Sequence, residues 1–330
     1  LKILGLDDSS DVSRVIEQVA EDVFSQGECP LEDCVRLAQI AAKLGASARN
    51  SFQFVIRNGD RKSIDQHIIA DVNGDLDRFV TDEWYEEHVL HDEYWRKFTS
   101  CTESEWRQWI TSGRSGLLTF VPLIPVQHHV WNRDEIRRSL RKRGFDGNPN
   151  FPYKSGDFTV DDWDFDEEHW NYWKSSAEQD TEFWGYLFTR ILAQPKAYWS
   201  KSLSAKVWQN GYTYKKPVTN EDLLPSWIVE FRSLPCLRDT RGHYRQPAEL
   251  LRRTPETESL LEVEPFVRAE DDNEHTRPLL IKLGVRDTPT GPDRLLDRLR
   301  ALASVANPPV YEVEKWYHRL DQMLVKCSTG

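Results

Sequence analysis

Apolar positions recur at helical spacing near the start of the chain, at Val12, Val15, Ile16, Val19 and Val23, with Asp11 placed to cap the helix. A second run, Cys34, Leu37, Ala38, Ala41 and Leu44, follows Pro30 and stops at Gly45. Proline suits a first helical turn and glycine a helix end. Phe52 to Ile56, then Asn58-Gly59, then Ile64 to Ile69 read as a β-hairpin, because Asn-Gly supplies the backbone a tight turn needs. From Asp71 to Gly113 the pattern is acidic, aromatic and helical. Trp84, Tyr85, His88, His91, Tyr94, Trp95 and Phe98 form one aromatic stripe. Thr102 and Glu105 make a capping box ahead of Trp106, Trp109 and Ile110, the expected buried face.

Leu117 to Val126 is an apolar run with prolines and reads as an extended core segment. Asp134 to Gly144 is a basic helix carrying Arg137, Arg138, Arg141, Lys142 and Arg143, with Arg133 just before it. Gly144 to Gly156 gathers Gly, Asn and Pro as a linker would. Asp157 to Glu168 is a dense acidic run, expected as a surface patch or as a mate for the basic helix. Helices are expected at His169 to Ser176, Thr181 to Ala193 and Tyr198 to Gln209, with a short strand at Tyr212 to Tyr214. Ile228 to Phe231 suits a short strand or helix end. Pro235 to Tyr244 is a small hairpin turning at Gly242, and a short helix follows at Pro247 to Leu251. Leu279 to Val285 is an apolar turn closed by Gly284. Pro289 to Pro292 begins a helix with Leu295, Leu296, Leu299 and Leu302 in phase, and Tyr311 to Leu324 is a further helix. Leu4-Gly5-Leu6 echoes Leu283-Gly284-Val285, so the order Leu-Gly, helix, Pro, helix occurs near both ends.

These elements predict an α+β fold, mainly helical: a modular scaffold with small β-hairpins between helix pairs. Three segments are expected: 1–113, a helical module with a hairpin; 114–223, a Trp-rich helical insert; and 224–330, a hairpin with a Leu-Gly helix module.

Composition narrows the partners. The net charge is −11 over 330 residues, which disfavours a dedicated polyanion-binding surface. Thirteen tryptophans imply either large buried faces or an aromatic surface for a partner. No stretch approaches the ~20 apolar residues of a membrane-spanning helix, so no membrane partner is expected. The five scattered cysteines suit a reducing cytoplasm. The chain begins at Leu1 and is expected to be cut from a longer protein.

Few residues suggest chemistry. His88 and His91 lie among Glu86, Glu87, Asp92 and Glu93, and two histidines with a carboxylate can share a metal, as in a metal-dependent hydrolase. Cys29 and Cys34 lack a second Cys or His pair, and Cys34 falls on the apolar side of its helix, as a buried thiol would. The acidic run does not match a calcium-binding loop. The basic helix could meet a phosphate backbone, which makes a nucleic-acid-associated module the first alternative function. Phosphate-binding glycine loops and nucleophile elbows are absent from the sequence.

Leu224-Pro225-Ser226-Trp227, Pro235-Cys236-Leu237-Arg238-Asp239-Thr240-Arg241-Gly242, Pro247-Ala248-Glu249-Leu250 and Leu283-Gly284-Val285 together resemble segments of very large bacterial proteins with an N-terminal Hsp90-like ATP-binding domain of the sacsin type. Such segments lie far downstream of the nucleotide site. The heavy Trp content and the long stretch between Gly113 and Leu223 depart from the family pattern. The resemblance implies a non-catalytic scaffold or interaction region of a large chaperone-like or defence-associated ATPase, binding other domains of its parent or partner proteins. On this reading no catalytic residue, cofactor or metal is assigned. The candidate interaction residues are Arg133, Arg137, Arg138 and Arg141 on the basic helix, and Trp84, Trp95, Trp163 and Trp170.

Overall fold

A computed structural model describes residues 9–25, 29–49, 51–148, 151–152, 156–211, 215–219, 221–255, 257, 264–287 and scattered positions between 296 and 321. The expectations for Leu4 to Leu6, Tyr212 to Tyr214 and the helix from Pro289 lie outside these residues, as does much of Tyr311 to Leu324.

Helices α1 (Ser9–Ser25) and α2 (Leu31–Leu44) pair at the start of the chain. Asp11 lies inside α1 rather than ahead of it. Val12 and Ile16 are buried with Ala20, whereas Val15 and Val19 face outward, so the apolar stripe is narrower than its pattern. Gly45 ends α2 in the left-handed region, at φ 62°.

The first hairpin pairs β1 (Gln53–Val55) with β2 (Arg61–Ser63), not with Ile64 to Ile69. The turn is tight: Asn58 Oδ1 accepts from Asp60 N at 2.9 Å and Gly59 takes φ 92°. The residues just after the turn therefore pair, polar as they are. Ile68 and Ile69 are delivered to the core beyond a single 3-10 turn at Ile64–Gln66.

The acidic aromatic stretch is not one helix. It breaks into α3 (Asp82–His88), α4 (Glu93–Arg96) and α5 (Glu103–Thr111). The break after His88 has a backbone cause: Val89 bridges Ile69 and Leu90 bridges Ile56, so these residues are drawn into extended pairing. The Thr102–Glu105 capping box of α5 is present.

Strand β3 (Ile124–Val130) leads to α6 (Arg133–Lys142), capped by Asn132. The acidic run forms β4 (Asp157–Asp164), an inner strand of a four-stranded antiparallel sheet. Charge masks its period-2 pattern, so the sequence suggests a surface patch or a mate for the basic helix; the run is a strand, and it meets that helix through Asp162 and Arg143. Phe158 and Val160 are buried on one face, and Asp162 follows them there. Next come α7 (Glu167–Gln179), α8 (Phe183–Leu192) and the short α9 (Lys196–Trp199). The helix expected up to Gln209 stops at Ser202, because Lys206–Asn210 pairs with β4 as β5. The sheet is completed by β6 (Lys215–Pro217), in the order β3-β4-β5-β6. Helix α10 (Ser226–Phe231), a second hairpin of β7 (Leu237–Arg238) and β8 (Tyr244–Arg245), and α11 (Arg277–Leu283) follow. Leu279 to Val285 is thus a helix end rather than a turn, closed by Gly284 at φ 91°.

The fold is α+β, with helices around small antiparallel sheets. Its largest core runs from Ile69 to Val285 and centres on Trp173, Trp227, Phe183 and Phe231. A second core packs α1, α2 and α5 around Phe52, Phe54 and Trp106. A third lies against one face of the four-stranded sheet, at Ile136, Leu140, Phe158 and Val207. Most tryptophans serve these cores; Trp131, 70% exposed, does not. Among the described residues, no helix is long and apolar enough to cross a membrane.

Candidate functional site

The most chemically distinctive concavity is a cleft of about 550 Å³ between α3 and the first turn of α7, floored by Pro122 and Ile124. Helix α3 contributes Glu83 and Glu87, one turn apart, with Trp84 and His88 on the adjoining positions. Helix α7 contributes its cap Asp166, then Glu168 and His169. His67 closes one side. It is the non-glycine residue with positive φ among those described, at 53°, where it ends the 3-10 turn after β2. Histidine tolerates that region better than most residues, at some strain.

Local structure fixes these positions. Thr81 caps α3 by accepting from Trp84 N, and donates to Glu168 Oε1 at 3.1 Å, which ties the two helix starts together. Arg57 reaches Glu86 and Asp92 and lies over the Tyr85 ring, clamping α3 to the first hairpin. Trp84 stacks on His88 with ring centroids 4.3 Å apart, and meets His169 edge-on at 4.9 Å. His169 in turn stacks on Trp173, so the inner wall is continuous with the core.

The electrostatics are one-sided. Burial pushes the His169 imidazole down to about 4, and the nearby Asp166 and Glu168 only partly oppose this. Burial also lowers His88. His88 Nδ1 sits 3.1 Å from the Trp84 carbonyl, which can only accept, so the proton lies on Nδ1 and Nε2 is an acceptor. The cleft therefore sets the acidic side chains of Glu83, Glu87, Asp166 and Glu168 beside three histidines, of which His88 and His169 are kept uncharged at neutral pH by burial and His67 is the third. Such a wall is rich in acceptors. Lys62 reaches the Glu87 carbonyl at 2.5 Å from outside and is the local counter-charge.

The structure separates the histidines that spacing had joined. His88 ends α3 and lines the cleft, whereas His91 lies beyond the break and its Nδ1 accepts from Glu93 N at 3.2 Å. Among the described residues, no group of three or more His, Cys, Asp or Glu side chains is placed to hold a metal. Trp84 and Trp95 do not share a stripe. Trp84 packs on the largest core, while Trp95 meets Trp106 edge-on in the second, with Arg107 over its ring. Trp163 lies in β4, half-buried against the largest core. Trp170 is inside that core, its Nε1 donating to Asp164 at 2.8 Å.

The basic helix is partly neutralised. Arg143 is buried and donates to Asp162 at 2.6 Å, with its other donors on the Leu224 carbonyl and Ser139. Lys142 meets Glu230 at 2.6 Å, and Arg137 donates to the Pro152 carbonyl at 3.1 Å. Arg133, Arg138 and Arg141 are exposed on α6.

Of the residues on which the sequence resemblance rests, Asp239 has a structural role. Asp239 is buried and accepts from Arg241 N, His243 N and Arg245 Nε at 2.7–2.9 Å, which builds the hairpin turn at Gly242. The sequence singles out Asp166 and Glu168 only as the end of the acidic run, and His67, Glu83 and His169 not at all, because these residues meet only where α3, the first turn of α7 and the turn at His67 come together in the fold. Comparison with family models, curated proteins and solved structures finds no match to the chain.

Proposed function

We propose that this chain is a non-catalytic interaction region whose cleft receives a cationic side chain, arginine or lysine, from a partner protein or from another part of its own parent. The observation that carries this is the composition of the cleft: four acidic side chains and three histidines, two of them kept uncharged by burial, on an aromatic wall set between two capped helices. A guanidinium or ammonium group brings only donors and positive charge, which is what such a wall lacks. The resemblance to downstream regions of large Hsp90-like ATPases supports a setting in which such a contact docks one module on another, and the mixed small sheets and helix pairs suit a scaffold.

Titrating the full chain with a labelled Arg/Lys-rich peptide, read by fluorescence anisotropy, tests the reading. Binding should fall roughly tenfold or more in the Glu83→Gln, Glu87→Gln double variant, and should weaken with added salt. A peptide of the same length with Gly and Ser in place of the basic residues should not bind. Equal affinity of the double variant and the wild type would overturn the assignment of the cleft.

A further inference from the structure

Cys29 and Cys34 stand apart from the cleft, at the start of α2, and face one another: Cys34 Sγ lies 3.4 Å from Cys29 Sγ. Pro30 between them sets the entry to α2, with φ −59° and ψ 146°. That extended step followed by helix folds Cys29 back over the first turn, so that two side chains five residues apart meet. Cys34 is fully buried in the second core, while Cys29 is half-buried at its rim. A cystine has its sulfurs about 2.05 Å apart, so closure asks for a movement of little more than 1 Å, within reach of side-chain rotation.

We propose that Cys29 and Cys34 are a thiol–disulfide exchange site, closed to an intramolecular disulfide by a low-molecular-weight disulfide. Cys29, the accessible partner, attacks the reagent disulfide as thiolate. A mixed disulfide forms on Cys29 and one reagent thiolate leaves. Cys34 then gives up its proton, attacks the Cys29 sulfur and expels the second reagent thiolate. The balance is two protein thiols and one reagent disulfide to one cystine and two reagent thiols. Burial disfavours the Cys34 thiolate, which makes the second step the slower one, but the attacking sulfur is already in place. The bond would join the segment entering α2 to the helix itself, at the rim of the second core.

The test uses the native full chain with excess oxidised glutathione, followed by thiol counting in denaturant and peptide mapping by mass spectrometry. The thiols of Cys29 and Cys34 should be lost together, with the two residues joined in one disulfide-linked peptide. Cys34→Ser should instead retain a glutathione adduct on Cys29, and Cys29→Ser should leave Cys34 unmodified. A lasting glutathione adduct on Cys29 of the wild-type chain, or Cys29 and Cys34 both still recovered as thiols after exposure, would overturn the proposal. Both readouts are made on the wild-type protein and do not depend on how well either variant folds.

Discussion

His169 shows how much one side chain in this chain depends on its surroundings. Its imidazole titrates near 4 in the folded chain and near 6.5 when unfolded. Between these values the unfolded state binds more protons, so stability rises with pH. The contribution is fully present above about pH 6.5 and is lost as pH falls toward 4, with about 2 kcal/mol gone between about pH 7 and pH 5. The groups facing the ring are Asp166 and Glu168 on its own helix and His88 and Trp84 on α3. Urea unfolding at those two pH values measures the loss, and His169→Phe should remove most of it while keeping the stack on Trp173. An unchanged pH slope in that variant would show that other groups govern acid sensitivity. Affinity of the cleft for a basic peptide should fall only as the pH approaches about 4, where His169 of the folded chain takes up its proton and repels a cation. At this scale the sequence was legible where a motif is local. Thr102 with Glu105, Gly45 and Gly284 each act within a turn of their own helix. His67 was not, because nothing beside it announces a left-handed backbone.

Between elements, the buried pair of Arg143 and Asp162 joins α6, β4 and α10. Asp162 also accepts from Ser226 N at 2.9 Å and Ser226 Oγ at 2.6 Å. Burial alone would raise the Asp162 carboxyl, but Arg143 and Ser226 outweigh it and hold the group below its usual range. Arg143→Met should cost about 3–5 kcal/mol, since it leaves a carboxylate buried without its cation. Adding Asp162→Leu should recover much of that loss, and a double-mutant cycle by urea unfolding measures the coupling. A second junction is tested by Gly185. A Cβ there would come 2.1 Å from the Tyr244 ring, so α8 and β8 approach as closely as glycine permits. Helix propensity favours alanine, yet Gly185→Ala should destabilise by about 1–3 kcal/mol through overpacking. Tyr244→Ala in the same chain should relieve it; additive losses in that cycle would place the strain elsewhere. These junctions explain why β4 was hidden in the sequence. Asp157, Asp161 and Asp164 read as solvated charge. Only the partner strands and Arg143, distant in sequence, make an acidic segment into an inner strand. The hairpin at Gly242 was readable because its turn, its pairing and its buried Asp239 lie within nine residues, from Leu237 to Arg245.

Across the whole molecule, the largest core draws on all three segments, 1–113, 114–223 and 224–330. Phe79 and Val80 come from the first, Trp173 and Phe183 from the second, and Trp227, Phe231 and Leu279 from the third. Polar ties cross the same boundaries: Trp173 Nε1 donates to the Phe79 carbonyl at 2.6 Å, Arg78 meets Asp180 at 2.7 Å, and His275 Nε2 lies 3.0 Å from the Gln194 carbonyl. The second core is joined to the largest along a paired extended stretch, since Ile68, Ala70 and Leu90 belong to one and Ile69 and its bridge partner Val89 to the other. Opening either core would pull on that stretch and expose apolar surface in both. Urea unfolding should therefore follow one transition, with far-UV circular dichroism and tryptophan fluorescence coincident. Residues 114–223 expressed alone should fail to fold, because Trp173, Phe183 and Leu187 would lose the partners that cover them. A folded 114–223 fragment, or two separated transitions in the full chain, would mean that the cleft between α3 and α7 spans units able to part. The affinity of the cleft would then depend on how they are docked, since α3 and α7 come from different segments.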